Sequence, residues 1–179
     1  GMYWGGKIRA SKDAELQFNL GEALQRAGRT DDAIGAYQDA LKLDEKLTVA
    51  RVNLAKALAE KGLMGEAKET LKEAMQLSPK DAEAHYNMGV LLMRENDLAG
   101  AMSAYQKALE LEPKHAMAHN NVGVVYDGLG QHQKATEAFK KAIAADPKYA
   151  EAHFNLGLAY FWLGEQLLAT KAFEKALLL

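Results

Sequence analysis

One segment occurs three times in this chain, as SPKDAEAHYNMG at residues 78–89, EPKHAMAHNNVG at 112–123 and DPKYAEAHFNLG at 146–157. Successive copies lie 34 residues apart, and together they contain all three prolines of the sequence. Proline ends a helix because it lacks the N–H and clashes with the preceding turn. The segment therefore marks equivalent helix boundaries, and a period of 34 residues is typical of a helix–turn–helix repeat.

The same period governs residues outside this segment. We number positions within five predicted repeats, 14–47, 48–81, 82–115, 116–149 and the shorter 150–179. Position 15 suits a left-handed turn throughout, with Gly28, Gly62, Asn96, Gly130 and Gly164. Position 8 is always small, with Gly21, Ala55, Gly89, Gly123 and Gly157, and position 24 is bulky, with Tyr37, Leu71, Tyr105, Phe139 and Phe173. The pattern predicts an all-α chain of helical hairpins, in which helix A precedes the turn and helix B follows it.

The segment His153-Phe154-Asn155-Leu156-Gly157, with Ala159-Tyr160 after it, resembles the helix A signature of the tetratricopeptide repeat family. Phe139, Ala142, Asp146 and Pro147 resemble its helix B and exit turn, and the resemblance covers residues 14–179. Two departures stand out. Glu45 replaces the exit proline of the first repeat, and histidine replaces tryptophan at position 4 (His85, His119 and His153), where we expect packing residues. The resemblance implies a right-handed α-solenoid whose A helices line a concave groove.

By that resemblance, positions 2, 5, 6, 9, 12 and 13 face the groove. Position 6 is asparagine in every repeat, namely Asn19, Asn53, Asn87, Asn121 and Asn155. An asparagine amide can pair with both the C=O and the N–H of a passing peptide. With A helices about 8–10 Å apart and an extended chain advancing about 3.3 Å per residue, each asparagine would meet about every third residue of a bound strand. The resemblance extends to a similar asparagine ladder in the repeat domain of the nucleocytoplasmic N-acetylglucosamine transferase. The alternative is that these amides satisfy neighbouring groups of the protein itself.

The other groove positions add apolar anchors toward the C-terminus. The predicted peptide-binding residues, besides the asparagines, are Tyr86, Val90, Met93, Val124, Phe154 and Leu158. Phe161 and Trp162 belong to the same positions, although each could instead pack against a further repeat. The first two repeats offer charges there, among them Glu22 and Lys56, and the lysine–arginine carboxylate clamp of co-chaperone members is not encoded. We expect a non-enzymatic scaffold that binds a peptide segment of a partner protein.

The composition excludes several classes of function. There are 22 basic against 24 acidic residues, and no basic block points to nucleic acid. No apolar run is long enough to span a membrane, and cysteine is absent. No catalytic or phosphate-binding motif appears, so we expect neither an enzyme nor a cofactor. His115 and His119 are four residues apart but lack a third ligand, so we expect no metal. The cytoplasm is favoured as location, although Gly1 looks like an expression remnant and a leader could have been removed.

The two ends suggest an alternative function. The sequence closes on Ala176-Leu177-Leu178-Leu179, and apolar solenoid ends favour head-to-tail homo-oligomers. At the other end we predict a tail over residues 1–13, freed by Gly5 and Gly6, with helix A beginning near Asp13. We expect Tyr3 and Trp4 to dock on apolar repeat surface, either of the first repeat or of a neighbouring molecule. End-to-end self-assembly is therefore the alternative to a peptide-binding scaffold.

Overall fold

Ten helices and no strand make up the part of the chain that this computed structural model describes, which is the backbone from residue 2 and the side chains from residue 9. The helices are α1 (Met2–Arg26), α2 (Thr30–Leu43), α3 (Thr48–Glu60), α4 (Met64–Leu77), α5 (Ala82–Arg94), α6 (Leu98–Leu111), α7 (Ala116–Gly128), α8 (His132–Ala145), α9 (Ala150–Trp162) and α10 (Gln166–Leu177). Odd-numbered helices are the A helices and even-numbered helices are the B helices. The predicted all-α class of tandem helical hairpins, the solenoid class, is confirmed.

The turn between helices A and B forms at the predicted residue. All four turn glycines have positive φ, from 71° at Gly130 to 82° at Gly62, and Asn96 has φ 62°. Glycine adopts this left-handed region without the steric cost of a Cβ, and asparagine tolerates it better than most residues. The period of 34 residues thus repeats a backbone conformation as well as a sequence.

The chain divides into two compact units, residues 1–91 and 92–179, called here the N-terminal and C-terminal units. Each unit has its own apolar core. In the N-terminal unit the core is centred on Tyr37, Val52, Leu58, Leu71 and Leu91, and in the C-terminal unit one core cluster is built on Ala135, Phe139, Leu156, Ala159 and Ala172. The cores join helices A and B of one repeat to helix A of the next.

The small residue at position 8 makes room for the ring at position 24 of the same repeat. A Cβ added to Gly123 would lie 2.5 Å from the Phe139 ring, and one added to Gly21 would lie 2.5 Å from the Tyr37 ring. The second repeat holds Ala55 at position 8, and its position 24 is the ringless Leu71. The two positions therefore vary together, because helices A and B approach over this contact.

The histidines at position 4 hold the exit turn of the preceding repeat. The Nε2 atoms of His85, His119 and His153 lie 3.0, 2.9 and 3.0 Å from the carbonyl oxygens of Pro79, Pro113 and Pro147, respectively. These histidines are therefore hydrogen-bonding residues as well as packing residues.

The second repeat makes the same connection with different residues. Arg51 replaces the histidine, and its Nη2 donates to the carbonyl oxygen of Glu45 at 2.6 Å. Glu45 stands where the other exit turns have proline. Arg51 and Glu45, which stand where the later repeats have histidine and proline, are therefore joined by the same kind of hydrogen bond.

The N-terminus differs from the prediction. Helix α1 begins at Met2, so the expected start near Asp13 is wrong. Residues 7–12 contain no proline and include good helix formers, and nothing in them stops the helix from continuing toward the N-terminus. The docking predicted for Tyr3 and Trp4 concerns side chains that lie outside the described residues.

Candidate functional site

Asn19 is the most accessible of the position 6 asparagines. It is exposed, and its side chain makes no hydrogen bond with any described residue. It lines a pocket of about 270 Å³ whose walls include Glu15, Phe18 and Val49. Its amide can therefore reach a ligand, and the neighbouring carboxylate and ring give the pocket mixed character.

The other asparagines have partners within the protein, and those partners depend on position 24 of the preceding repeat. Where that position is tyrosine, the asparagine bonds to its hydroxyl. Asn121 Nδ2 donates to the Tyr105 hydroxyl at 3.3 Å, and Asn53 interacts with the Tyr37 side chain.

Where position 24 has no hydroxyl, the asparagine finds another partner. After Leu71, Asn87 is buried and its Nδ2 donates to the Glu83 carbonyl oxygen at 2.8 Å. After Phe139, Asn155 Nδ2 donates to Asn120 Oδ1 at 3.0 Å. These bonds agree with the alternative interpretation of the asparagines, in which they satisfy groups of the protein.

Position 5 is a second place where burial differs from the expectation of a groove-lining residue. Val52 is 3 % exposed and Asn120 is fully buried, so neither faces a ligand. Asn120 Nδ2 also donates to Glu151 Oε1 at 3.2 Å. In the fourth repeat the position 5 side chain therefore faces α9, the next A helix. The asparagine at this position carries a polar link between α7 and α9 that the sequence pattern does not reveal.

The predicted apolar anchors differ in exposure. In the N-terminal unit Tyr86 and Val90 are half-buried, and in the C-terminal unit so are Met93, Val124 and Leu158. Phe154 is 48 % exposed, and its ring lies 5.7 Å from that of Phe173. The two rings line a pocket of about 610 Å³ together with Ala150, Glu151, Ala176 and Leu177. This pocket, called here the α9–α10 pocket, is an apolar concavity beside a predicted anchor.

Trp162 and Phe161 belong to an aromatic cluster of the C-terminal unit. Trp162 is 63 % exposed, its ring is stacked on His132 with centroids 6.1 Å apart, and Phe161 meets it edge-on at 5.6 Å. The His132 Nδ1 atom lies 2.7 Å from Asp127 Oδ1. The tryptophan is thus supported within its own unit while one face stays open to solvent.

The A-helix surface of the N-terminal unit is polar, and its groups pair with one another. Gln25 Nε2 donates to Glu60 Oε1 at 2.8 Å, and Lys56 Nζ lies 3.8 Å from Glu83 Oε1. The Tyr37 hydroxyl donates to Gln25 Oε1 at 2.9 Å. Burial, with the Glu22 carboxylate as a second cause, raises the pKa of Tyr37. These side chains cross-link successive repeats.

The two histidines with metal-like spacing have structural roles. His115 caps α7 by accepting from the Ala118 N–H at 3.2 Å, and His119 holds the exit turn. Residues 9–179 contain no cluster of three potential metal-binding side chains. Among the helices described, none combines the length and apolar character needed to cross a bilayer.

Profiles described as "TPR repeat" match residues 128–164, and profiles described as "Tetratricopeptide repeat" match residues 24–86, 82–115, 104–137 and 150–179. No curated protein sequence matches significantly.

Solved structures similar to this chain include a crystal structure of MamA, with 35% identity, TM-score 0.73, and 88% of this chain and 92% of that chain covered. Another is TTC0263, a thermophilic TPR protein of Thermus thermophilus, with 27% identity and a TM-score of 0.78. The match covers 92% of this chain and 90% of that chain. YrrB, a TPR protein with an unusual peptide-binding site, shares the fold, with 22% identity and a TM-score of 0.66. The match covers 98% of this chain and 91% of that chain. The chain belongs to the tetratricopeptide repeat family.

Proposed function

We propose that this chain is a non-enzymatic scaffold that binds a segment of a partner protein on the A-helix surface of its C-terminal unit. Tetratricopeptide repeats form protein–protein interaction scaffolds, which gives the general class. The observation that carries the more specific proposal is the exposed Phe154 beside the α9–α10 pocket of about 610 Å³. Large aromatic side chains at the centre of an apolar concavity are the usual energetic anchors of an interface.

Other A-helix positions of the C-terminal unit also carry exposed apolar side chains. Met117 is 43 % exposed and Phe161 52 % exposed, and Leu158 and Val124 are partly accessible. Exposed apolar side chains that lie on one surface are a common feature of interaction sites. The partner segment is therefore expected to carry apolar side chains, which enter the α9–α10 pocket.

The asparagine ladder enters this proposal in a narrower form. Asn155 donates to Asn120, but its Oδ1 accepts from no described residue, and Asn19 makes no hydrogen bond with described residues. These two amides can accept a hydrogen bond from a peptide backbone, or donate one to it, without breaking a hydrogen bond within the protein. Asn53, Asn87 and Asn121 hold neighbouring groups of the protein, so their contribution to a ligand is indirect. Each direct bond would contribute about 0.5–1.5 kcal/mol.

Selection from a displayed random-peptide library on the intact protein, followed by affinity measurements, tests the proposal. The variant Phe154→Ala should weaken the selected peptides by about tenfold or more, the usual cost of losing a buried anchor. Leu129→Ala is the matched control, because Leu129 is 52 % exposed in the same unit but lies in the α7–α8 turn. Equal loss in both variants, or selection of no peptide, would contradict the proposal.

End-to-end self-assembly is a second candidate, supported by exposed apolar side chains on helices of both units. Leu16 and Leu20 on α1 are 65 % and 48 % exposed, and Leu177 on α10 is 87 % exposed. A heterologous contact between such faces of two copies would propagate into a ring or filament. Light scattering over a concentration series tests it, because Leu16→Ser with Leu20→Ser should reduce the mass of any assembly. A monomer at every concentration excludes this candidate.

A further inference from the structure

A second concavity lies on the opposite side of the last hairpin from the predicted anchors, where α8, α9 and α10 meet. It has a volume of about 310 Å³ and is open to solvent. It is lined by Lys140, Ile143, His153, Leu156, Tyr160, Leu168, Lys171, Ala172 and Lys175. We call it the lysine-rimmed pocket. Its floor is apolar, its rim carries three lysines, and no carboxylate lines it.

The rim charges are mostly available to a ligand. Lys171 and Lys175 are exposed and form no ion pair with any described residue. Lys140 is more constrained, because its Nζ lies 5.7 Å from the Tyr160 ring centroid and 3.4 Å from Glu137 Oε1. Burial opposes the charge of Lys140, but hydrogen bonding to Tyr160 and the nearby Glu137 outweigh it and raise its pKa. The raised pKa keeps Lys140 cationic at neutral pH.

The repeat framework does not require lysine at these positions. Positions 22 and 26 are Lys171 and Lys175 in the fifth repeat, and they are Glu69 and Glu73 in the second. In the second repeat the carboxylates are paired, with Lys72 Nζ 2.6 Å from Glu69 and Arg51 Nη1 2.9 Å from Glu73. The same fold thus accepts either charge, and the fifth repeat leaves both of its lysines without an ion-pair partner among the described residues. The two lysines that lack an ion-pair partner within residues 9–179 are therefore a feature of this surface and not of the repeat.

We propose that the lysine-rimmed pocket docks an acidic peptide segment that carries one apolar side chain among its carboxylates. Charge complementarity selects the acidic segment, because the opening is flanked by two ammonium groups that have no ion-pair partner in the described part of the chain. The apolar floor of Ile143, Leu156 and Leu168 selects the single apolar side chain, and about 310 Å³ accommodates one leucine or phenylalanine. This site shares no lining residue with the α9–α10 pocket and does not depend on the function proposed above.

The test uses a fluorescein-labelled decapeptide of glutamates and aspartates with one central leucine, and fluorescence anisotropy with the intact protein. We expect binding that weakens as salt is raised. The double variant Lys171→Glu with Lys175→Glu should weaken it about tenfold or more. The control, Lys42→Glu with Lys72→Glu, makes the same change in net charge on B helices of the N-terminal unit. It should change the affinity for the peptide by less than about twofold.

A second arm separates the floor from the rim. Leu168, 41 % exposed, forms part of the floor. Leu168→Ser should weaken the leucine-containing peptide and leave an all-acidic peptide unaffected. Circular dichroism and the melting temperature of each variant show whether the fold is retained, and the salt dependence of the wild-type protein tests the rim without any substitution.

The possible outcomes decide between occupants. The proposal is supported if the Lys171→Glu, Lys175→Glu variant loses more peptide affinity than the charge-reversed control, and if Leu168→Ser weakens only the leucine-containing peptide. Equal loss in the two charge-reversed variants, or absence of binding by the wild-type protein, overturns it. If sedimentation shows instead that the wild-type protein self-associates and that the Lys171→Glu, Lys175→Glu variant is monomeric, the occupant is a second copy and the peptide proposal is wrong.

Discussion

The two units share one framework and differ in what they leave exposed. In the N-terminal unit polar side chains on the A helices bind each other, as in Gln25 with Glu60 and Lys56 with Glu83. In the C-terminal unit the corresponding surface exposes Phe154, while the outer surface carries Lys171 without an ion-pair partner among the described residues. The paired groups of the N-terminal unit are therefore satisfied by each other, whereas Phe154 and Lys171 of the C-terminal unit remain available to a ligand.

This difference separates positions that hold the fold from positions that are open to function. The position 15 turn and the contact between positions 8 and 24 recur in both units. Positions 5, 22 and 26 change chemistry between units, from Val52 to Asn120 and from Glu73 to Lys175, without changing the hairpin. Function in a repeat protein belongs to the second set of positions.

Replacing Asn120 by aspartate is the strongest way to break the C-terminal unit. Asn120 is fully buried, and its amide donates to Glu151 Oε1 at 3.2 Å. The isosteric Asn120→Asp removes that donor and buries a carboxylate facing another one, which should cost about 3 kcal/mol or more. Urea unfolding at pH 7 measures the loss, and part of the stability should return at pH 5, where a protonated carboxyl can donate again.

The matched control for this change lies in the N-terminal unit. Asn19→Asp makes the same chemical change at an exposed position with no internal partner among the described residues. It should alter the free energy of unfolding by less than about 0.5 kcal/mol. Similar losses in the two variants would show that the Asn120 network does not stabilise the protein.

Replacing Gly123 by alanine tests the contact between positions 8 and 24. The new Cβ would lie 2.5 Å from the Phe139 ring, so overpacking should outweigh the better helix propensity and give a net loss of about 1–2 kcal/mol. Adding Phe139→Leu reproduces the Ala55–Leu71 arrangement of the second repeat and should cost less than the sum of the single changes. Thermal unfolding of the three variants measures this coupling.

Gly35 provides the control for this pair of changes. It lies within α2, and a Cβ there meets no atom within 4 Å. Gly35→Ala should therefore stabilise the protein by about 0.5–1 kcal/mol, because alanine loses less backbone entropy in a helix. If the double variant Gly123→Ala with Phe139→Leu were destabilised by the full sum of the two single changes, the proposed coupling of positions 8 and 24 would be wrong.

The sequence predicts the framework better than the site because framework contacts repeat. The glycine turn and the small position 8 depend on residues within one repeat, so five copies reveal them. The partners of the asparagines depend instead on position 24 of the preceding repeat, where Tyr105 offers a hydroxyl and Phe139 does not. Identical residues therefore acquire different roles. The sequence did not predict the N-terminal extension of α1, because the residues before Asp13 belong to no repeat and have no equivalent copies to compare.

Replacing Arg51 by alanine should destabilise the N-terminal unit by about 1–2 kcal/mol. The change removes the hydrogen bond to the Glu45 carbonyl oxygen and the ion pair with Glu73, and the former is charge-assisted. The double variant Glu45→Pro with Arg51→His installs the exit turn used elsewhere in the chain and should recover most of the loss. Chemical denaturation measures both, and a double variant no more stable than Arg51→Ala would show that the two connections are not equivalent.

Replacing Tyr37 by phenylalanine should have the smallest effect, about 0.5–1 kcal/mol at pH 8. It removes a hydroxyl that donates to Gln25 at 2.9 Å, while the fully buried ring keeps its place. Because burial, aided by Glu22, raises the pKa of Tyr37 above the value of 10.0 that the unfolded chain shows, the folded state retains this proton longer. The contribution is therefore complete below pH 10 and is lost as the pH rises through the folded-state pKa.

The free energy of unfolding of the wild-type protein should fall more steeply between pH 9 and about pH 11 than that of Tyr37→Phe, since the other tyrosines are common to both. Parallel pH profiles would show that Tyr37 ionises as easily in the folded protein as in the unfolded chain.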